Sequence, residues 1–176
     1  PYFRFPIDDR RQTGLLPPHF GTSTNGGFVY SQPIYLNLAP NYDATLTPAL
    51  YTQRGTLLQG DFRYLTENFG SGSLRGAILP ADKQTGEDRK SGQFRHALSW
   101  GDVWNARTNL NYVSDPYYLS DLGSGLEIAN QTYQERVGEV QYNDANWHIL
   151  ARAQGFQTLD PGLVDGDKPY TRLPQL

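Results

Sequence analysis

From Trp104 to Tyr112 the side chains alternate without a break, with Trp104, Ala106, Thr108, Leu110 and Tyr112 on one parity and Asn105, Arg107, Asn109 and Asn111 on the other. A period of two places the two sets on opposite faces of a β-strand, a separation no helix can produce. The pattern recurs along the chain between turn signals spaced by roughly 12 residues, which predicts an antiparallel meander of about nine strands.

The turns are specified by residue type. Asn25-Gly26-Gly27 suits the positive φ of a tight hairpin, Pro40-Asn41 reverses the chain, and Arg54-Gly55, Gly101-Asp102 and Asp144-Ala145 supply further short connections. Strands are expected over Gly14–Thr24, broken at Pro17-Pro18, and over Phe28–Ala39, Ala44–Thr52, Thr56–Leu65, Ser73–Leu79, Phe94–Trp100 and Val103–Val113. Pro80–Gly92, dense in Asp, Lys, Glu and Gly, reads as a solvated loop. Pro1–Ile7 alternates as well, and the charged run Asp8-Asp9-Arg10-Arg11 separates it from the strand expected at Gly14. Residues 1–13 are therefore expected to hold the end of a preceding unit and a connection, and residues 14–176 the meander.

Composition bears on the environment of the sheet. Only 38% of residues are hydrophobic, while 18 Gly, 12 Pro and 12 Tyr favour strands and turns. No apolar run reaches the roughly 18 residues of a membrane helix, yet a mean hydropathy of -0.61 is compatible with a membrane barrel, whose strands alternate lipid-facing and lumen-facing residues. Trp100, Trp104, Tyr112 and Trp147 fall at strand ends, where interfacial girdles place aromatic residues. Short turns alternating with longer connections near Gln84 and Asp121 match the short periplasmic turns and long outer loops of such barrels. A channel or porin would share these features. A soluble carbohydrate-binding β-sandwich would share the alternation and could offer Tyr117 and Tyr118 as stacking platforms.

Several chemistries are excluded. A net charge of -3, from 15 basic and 18 acidic residues mixed along the chain, leaves no electrostatic footprint for nucleic acid. Without Cys there is no thiol catalysis, disulfide scaffold or Cys-type zinc site. His19, His96 and His148 lie on separate segments with no shared ligand spacing, and Asp8, Asp9 and Asp43 fit turn chemistry better than acid-base work. Asp160-Pro161-Gly162 to Asp167 lacks the ligand order and terminal Glu of a calcium loop. No nucleophile elbow or phosphate loop occurs, so neither an enzyme, a cofactor nor a metal is expected.

Leu38-Ala39-Pro40-Asn41-Tyr42-Asp43-Ala44-Thr45-Leu46-Thr47-Pro48 resembles a signature of the LptD family, the lipopolysaccharide-assembly proteins also called organic solvent tolerance proteins. Pro1–Arg11 with Thr13-Gly14, Gln53-Arg54-Gly55, Asp61–Leu65, Leu79–Lys83, Ser114–Tyr118, Phe156–Asp160 and Arg172–Leu176 match the family in order. The resemblance implies an all-β chain: the last strand of a periplasmic β-jelly roll, then the first strands of an antiparallel transmembrane β-barrel in the outer membrane of a Gram-negative bacterium. It implies insertion of lipopolysaccharide into the outer leaflet through a lateral gate at the first barrel strands. The implied partners are the LptE lipoprotein plug, the LptA periplasmic bridge, lipopolysaccharide, outer-membrane lipid, and the barrel-assembly machinery during folding.

In the family a Pro in each of the first two barrel strands weakens the gate, and Pro18 and Pro33 fall at the corresponding places, with Pro17 as an extra proline. Proline has no amide proton and fixes φ, so it removes a ladder hydrogen bond. Arg63, Asn105, Arg107 and Asn109 are candidates for lumen-facing contacts with substrate or plug.

Overall fold

The computed structural model describes residues 11–123, 132–167 and 169–175. It forms a single antiparallel sheet: β1 (Gly14–Leu15), β2 (His19–Ser23), β3 (Gly27–Ser31), β4 (Ile34–Ala39), β5 (Tyr42–Tyr51), β6 (Gly55–Thr66), β7 (Gly70–Leu79), β8 (Arg89–Trp100), β9 (Trp104–Val113), β10 (Tyr133–Asn143), β11 (His148–Thr158) and β12 (Arg172–Gln175). One short helix, α1 (Tyr118–Leu122), interrupts the connection from β9 to β10. Each strand pairs with the next, β1 with β2 serving as the first long strand and β3 with β4 as the second. Among the described residues both edges of the sheet are open, and β1 and β12 do not pair. The expected strand over Pro1–Ile7 lies outside the described residues.

Strand lengths suit a bilayer. The strands β5 to β11 have 10, 12, 10, 12, 10, 11 and 11 residues, close to the roughly 9–11 residues of a tilted transmembrane strand. No helix among the described residues is long and apolar enough to cross a membrane.

The two faces distinguish a membrane wall from a soluble sandwich. Leu46, Leu58, Leu74, Ile78 and Leu110 share one face across β5 to β9 and remain 38–53% exposed. A continuous apolar band of this kind on a monomer's surface marks contact with another apolar phase. The opposite face carries Thr45, Gln59, Arg75, Gln93 and Asn109 around a cavity of about 1060 Å³. The apolar side is thus outside and the polar side inside, the inverse of a sandwich core.

Trp100, Trp104 and Trp147 cluster at one end of the strands, exposed, and Tyr112 lies toward the other. At the tryptophan end the turn through Gly101 uses φ +56°, which favours glycine. On the outer face an aromatic ladder runs Tyr42, Phe62, Tyr64, His96, Phe94, with ring centroids 5.9–6.2 Å apart. The Tyr64 hydroxyl and His96 Nδ1 share a hydrogen bond of 2.6 Å, so the imidazole is not left unpaired on the apolar side. Gly72 lies under Tyr64, where a Cβ would overlap the phenol ring.

Three details depart from expectation. The strand expected over Phe28–Ala39 is split at Gln32-Pro33. The stretch expected to be a solvated loop up to Gly92 becomes strand from Arg89, because Arg89 pairs with Leu79 and turns its side chain inward. The turns at Asn25-Gly26 and Arg54-Gly55 sit at the end with the long connections, whereas those at Pro40-Asn41, Gly101-Asp102 and Asp144-Ala145 lie at the short-turn end.

Candidate functional site

The first hairpin carries a fault in its ladder. Leu15 pairs with Ile34 on one side and His19 with Ser31 on the other, so Leu16, Pro17 and Pro18 stand opposite only Gln32 and Pro33. This is a bulge with three prolines among five residues. The Leu16 amide donates to the Pro33 carbonyl at 3.0 Å. Directly opposed residues in such a pair exchange two bonds, and Pro33 has no N–H to return. The Gln32 backbone amide points the other way and donates to the Pro48 carbonyl at 3.1 Å. Pro18 and Pro33, singled out from the sequence, therefore meet across one interruption between the first and second long strands, and Pro17 belongs to it too.

The structure brings Arg63, Asn105, Arg107 and Asn109 onto the same inner face, with Arg63 three strands away from the others. Their polar groups are engaged. Arg63 donates through Nε and Nη2 to the two oxygens of Asp43, both at 2.8 Å, and Asp43 also accepts from the Tyr35 hydroxyl at 3.2 Å. Arg107 Nε lies 2.5 Å from Glu139. Asn105 accepts from the Ser99 hydroxyl at 2.9 Å, and Asn109 accepts from the Asn111 amide at 3.4 Å. Arg95, on the same face, has no carboxylate partner among the described residues. Below this face, Arg11 and Thr13 hold the incoming chain against β4: Asn37 donates to the Arg11 carbonyl and to the Thr13 hydroxyl, each at 2.9 Å.

At the long-loop end lies a buried ion cluster that the sequence did not suggest. Asp82, fully buried, accepts from Arg54 Nη1 at 2.6 Å, Arg89 Nη1 at 3.3 Å and the Gln84 backbone amide at 3.0 Å. Arg89 also reaches Asp121 at 2.7 Å and donates to both oxygens of Asp115, at 2.7 and 3.0 Å, with its guanidinium over the Tyr118 ring. Beneath the ions, Leu57, Leu79, Val113, Tyr118, Leu122 and Leu159 form the apolar core of the described residues.

Burial alone would raise the Asp82 carboxyl, yet the Gln84 amide and the Arg54 guanidinium outweigh it and hold the group below the ordinary carboxylate range. Asp115 is likewise held low: its burial is offset first by the hydrogen bond from Arg89. The cluster also grips the tip of the first hairpin. Arg54 Nε and Gln84 Nε2 both donate to the Asn25 carbonyl at 2.8 Å, while the Asn25 side chain donates to Asp121 at 3.0 Å.

An antiparallel meander with bilayer-length strands, an apolar outer face, a polar inner face and loops packed at one end is part of the wall of a transmembrane β-barrel. The family model described as LPS transport system D matches residues 87–176. The chain is 49% identical to the LPS-assembly protein LptD of Acinetobacter baumannii, over 99% of this chain and 22% of that protein. It is 46% identical to the protein of the same name from Acinetobacter baylyi, again over 99% and 22%, and 45% identical to that of Alcanivorax borkumensis, over 100% and 23%. The chain belongs to the LptD family and spans less than a quarter of the length of these relatives.

Proposed function

We propose that this chain supplies the first strands of an outer-membrane translocon that delivers lipopolysaccharide to the outer leaflet, and that the fault between its first two long strands is part of the lateral gate. Transport, not catalysis, is its role. The observation that carries this reading is the bulge at Leu16–Pro18 against Gln32-Pro33, where the wall lacks backbone bonds that a closed barrel otherwise needs. A first strand jointed there can let β1 and β2 swing separately. The connection through Arg11 and Thr13 lies at the tryptophan-rich, short-turn end, which suits entry from a periplasmic jelly roll whose end residues 1–13 would supply. The polar inner face offers the paired guanidiniums of Arg63 and Arg107 and the amides of Asn105 and Asn109 to the LptE plug and to the sugar-phosphate portion of the substrate. LptA would deliver that substrate from the periplasm.

Locking the joint tests the reading. Leu15 and Ile34 are register partners, so Leu15→Cys combined with Ile34→Cys in the full-length protein can be joined by a short thiol cross-linker. Cross-linked cells are expected to show about tenfold less newly exported surface lipopolysaccharide than cells carrying either single substitution, in line with a gate held in one state. Export at the native rate with the cross-link formed would contradict a gate at this joint.

A further inference from the structure

The orphaned acceptor in the bulge is not left empty. With no N–H on Pro33, the Leu16 carbonyl has no backbone donor facing it, and the Gln32 side chain supplies one: Nε2 donates to the Leu16 carbonyl at 2.7 Å. Its second N–H donates to the Pro33 carbonyl at 3.1 Å, and its Oε1 accepts from the Tyr30 hydroxyl at 3.2 Å. The amide is thus engaged at both ends. Its position makes this informative. Register through Ser31–Ala49 and Ile34–Leu46 carries Gln32 onto the outer, apolar parity together with Phe28, Tyr30 and Ile34. A primary amide on a lipid-facing surface is strongly disfavoured unless its hydrogen bonds are made. The Tyr30 ring is held in turn by Phe20 of the first strand, with centroids 5.2 Å apart.

We propose that the Gln32 side chain is a detachable clasp across the seam: it takes the place of the ladder bond that Pro33 cannot make, and its release frees the first strand. A backbone bond in a ladder is fixed by the chain on both sides, whereas a side-chain amide lets go by rotation about its own torsions. The clasp closes the wall against lipid in the resting state without making the seam as firm as its neighbours. As a step in transport it rests on the reading of this seam as a gate; as a bond it does not.

The experiment is hydrogen exchange on the full-length protein assembled with its lipoprotein partner, followed at the Leu16 amide and, as a control, in β6 and β7. Gln32→Leu keeps the bulk of the side chain and suits lipid, but leaves the Leu16 carbonyl unpaired. Exchange at Leu16 is expected to rise about tenfold, which corresponds to ~1.4 kcal/mol, with β6 and β7 unchanged. Tyr30→Phe, which removes only the hydroxyl that orients the amide, should shift Leu16 the same way by a few-fold. In a Pro33→Ala background the restored backbone donor makes the clasp redundant, so Gln32→Leu should there change exchange by less than about twofold.

Unchanged exchange at Leu16 in Gln32→Leu, or an equally large effect in the Pro33→Ala background, would overturn the clasp. Should Gln32→Leu fail to assemble, Tyr30→Phe decides, and native exchange in that variant would overturn it. Faster exchange with lipopolysaccharide export at its native rate leaves the clasp standing and removes the gate, so the two readings fail separately.

Discussion

Replacing both Pro18 and Pro33 by alanine in the full-length protein is expected to reduce lipopolysaccharide export while barrel abundance stays at its native level. Each replacement restores one backbone donor, and a net hydrogen bond contributes on the order of 0.5–1.5 kcal/mol. At Pro33 the gain is partial, because the Gln32 amide already occupies the Leu16 carbonyl that a new N–H would seek. Together the two changes should stabilise the closed seam by ~1–2 kcal/mol, lowering the open population roughly 5-fold to 30-fold at 1.4 kcal/mol per decade. The readouts are newly exported surface lipopolysaccharide and sensitivity to large antibiotics, with barrel level measured in parallel. Unchanged export at native abundance would mean that the prolines only protect the strand edge from mispairing.

The phase of the strands was legible because each has an apolar face, and a one-residue slip would have turned that face toward the lumen. The split of the second long strand was not, because register continues unshifted from Ser31–Ala49 to Ile34–Leu46 and leaves the alternation intact; only Pro33 hinted at it. Gln32 carried a signal of its own, a lone amide on the parity of Phe28, Tyr30 and Ile34. The end at which each turn lies follows from counting strand crossings, which would have placed Asn25-Gly26 and Arg54-Gly55 beside the long connections. The ion cluster was hidden for a different reason. Charged residues between Pro80 and Gly92 read as solvated because burial of ions depends on partners far off in sequence, here Asp115 and Asp121 brought in by the α1 connection. The family-like motifs nevertheless contained it: Gln53-Arg54-Gly55 holds Arg54, Leu79–Lys83 holds Asp82, and Ser114–Tyr118 holds Asp115.

That cluster should respond unequally to loss of its cations and its anions. Three carboxylates, Asp82, Asp115 and Asp121, face two guanidiniums, Arg54 and Arg89, so the group carries one excess negative charge. Arg89→Met removes the cation that touches all three carboxylates and leaves a single guanidinium among them. Removing one partner from a buried ion group destabilises by about 3–5 kcal/mol, and the loss should fall on the loops over residues 80–88 and 114–123 and on the hairpin tip at Asn25. Asp82→Asn keeps the shape and the Gln84 contact and leaves two cations facing two anions, so it should be the milder change. Limited proteolysis of the full-length protein in detergent checks this: rapid cleavage in both loops for Arg89→Met, slower cleavage for Asp82→Asn, and an intact barrel core in each. Acid should reproduce the Arg89 phenotype from the other side. Because Asp82 and Asp115 are held below their ordinary value of 3.8 in the folded protein, the stability they contribute is complete above that value and is lost as pH falls through the lowered one. Protease resistance of the loops should stay level from neutrality down to about pH 4 and collapse only below it. Native resistance in Arg89→Met, or loops that open already near pH 6, would show that the ions do not hold this end of the barrel together.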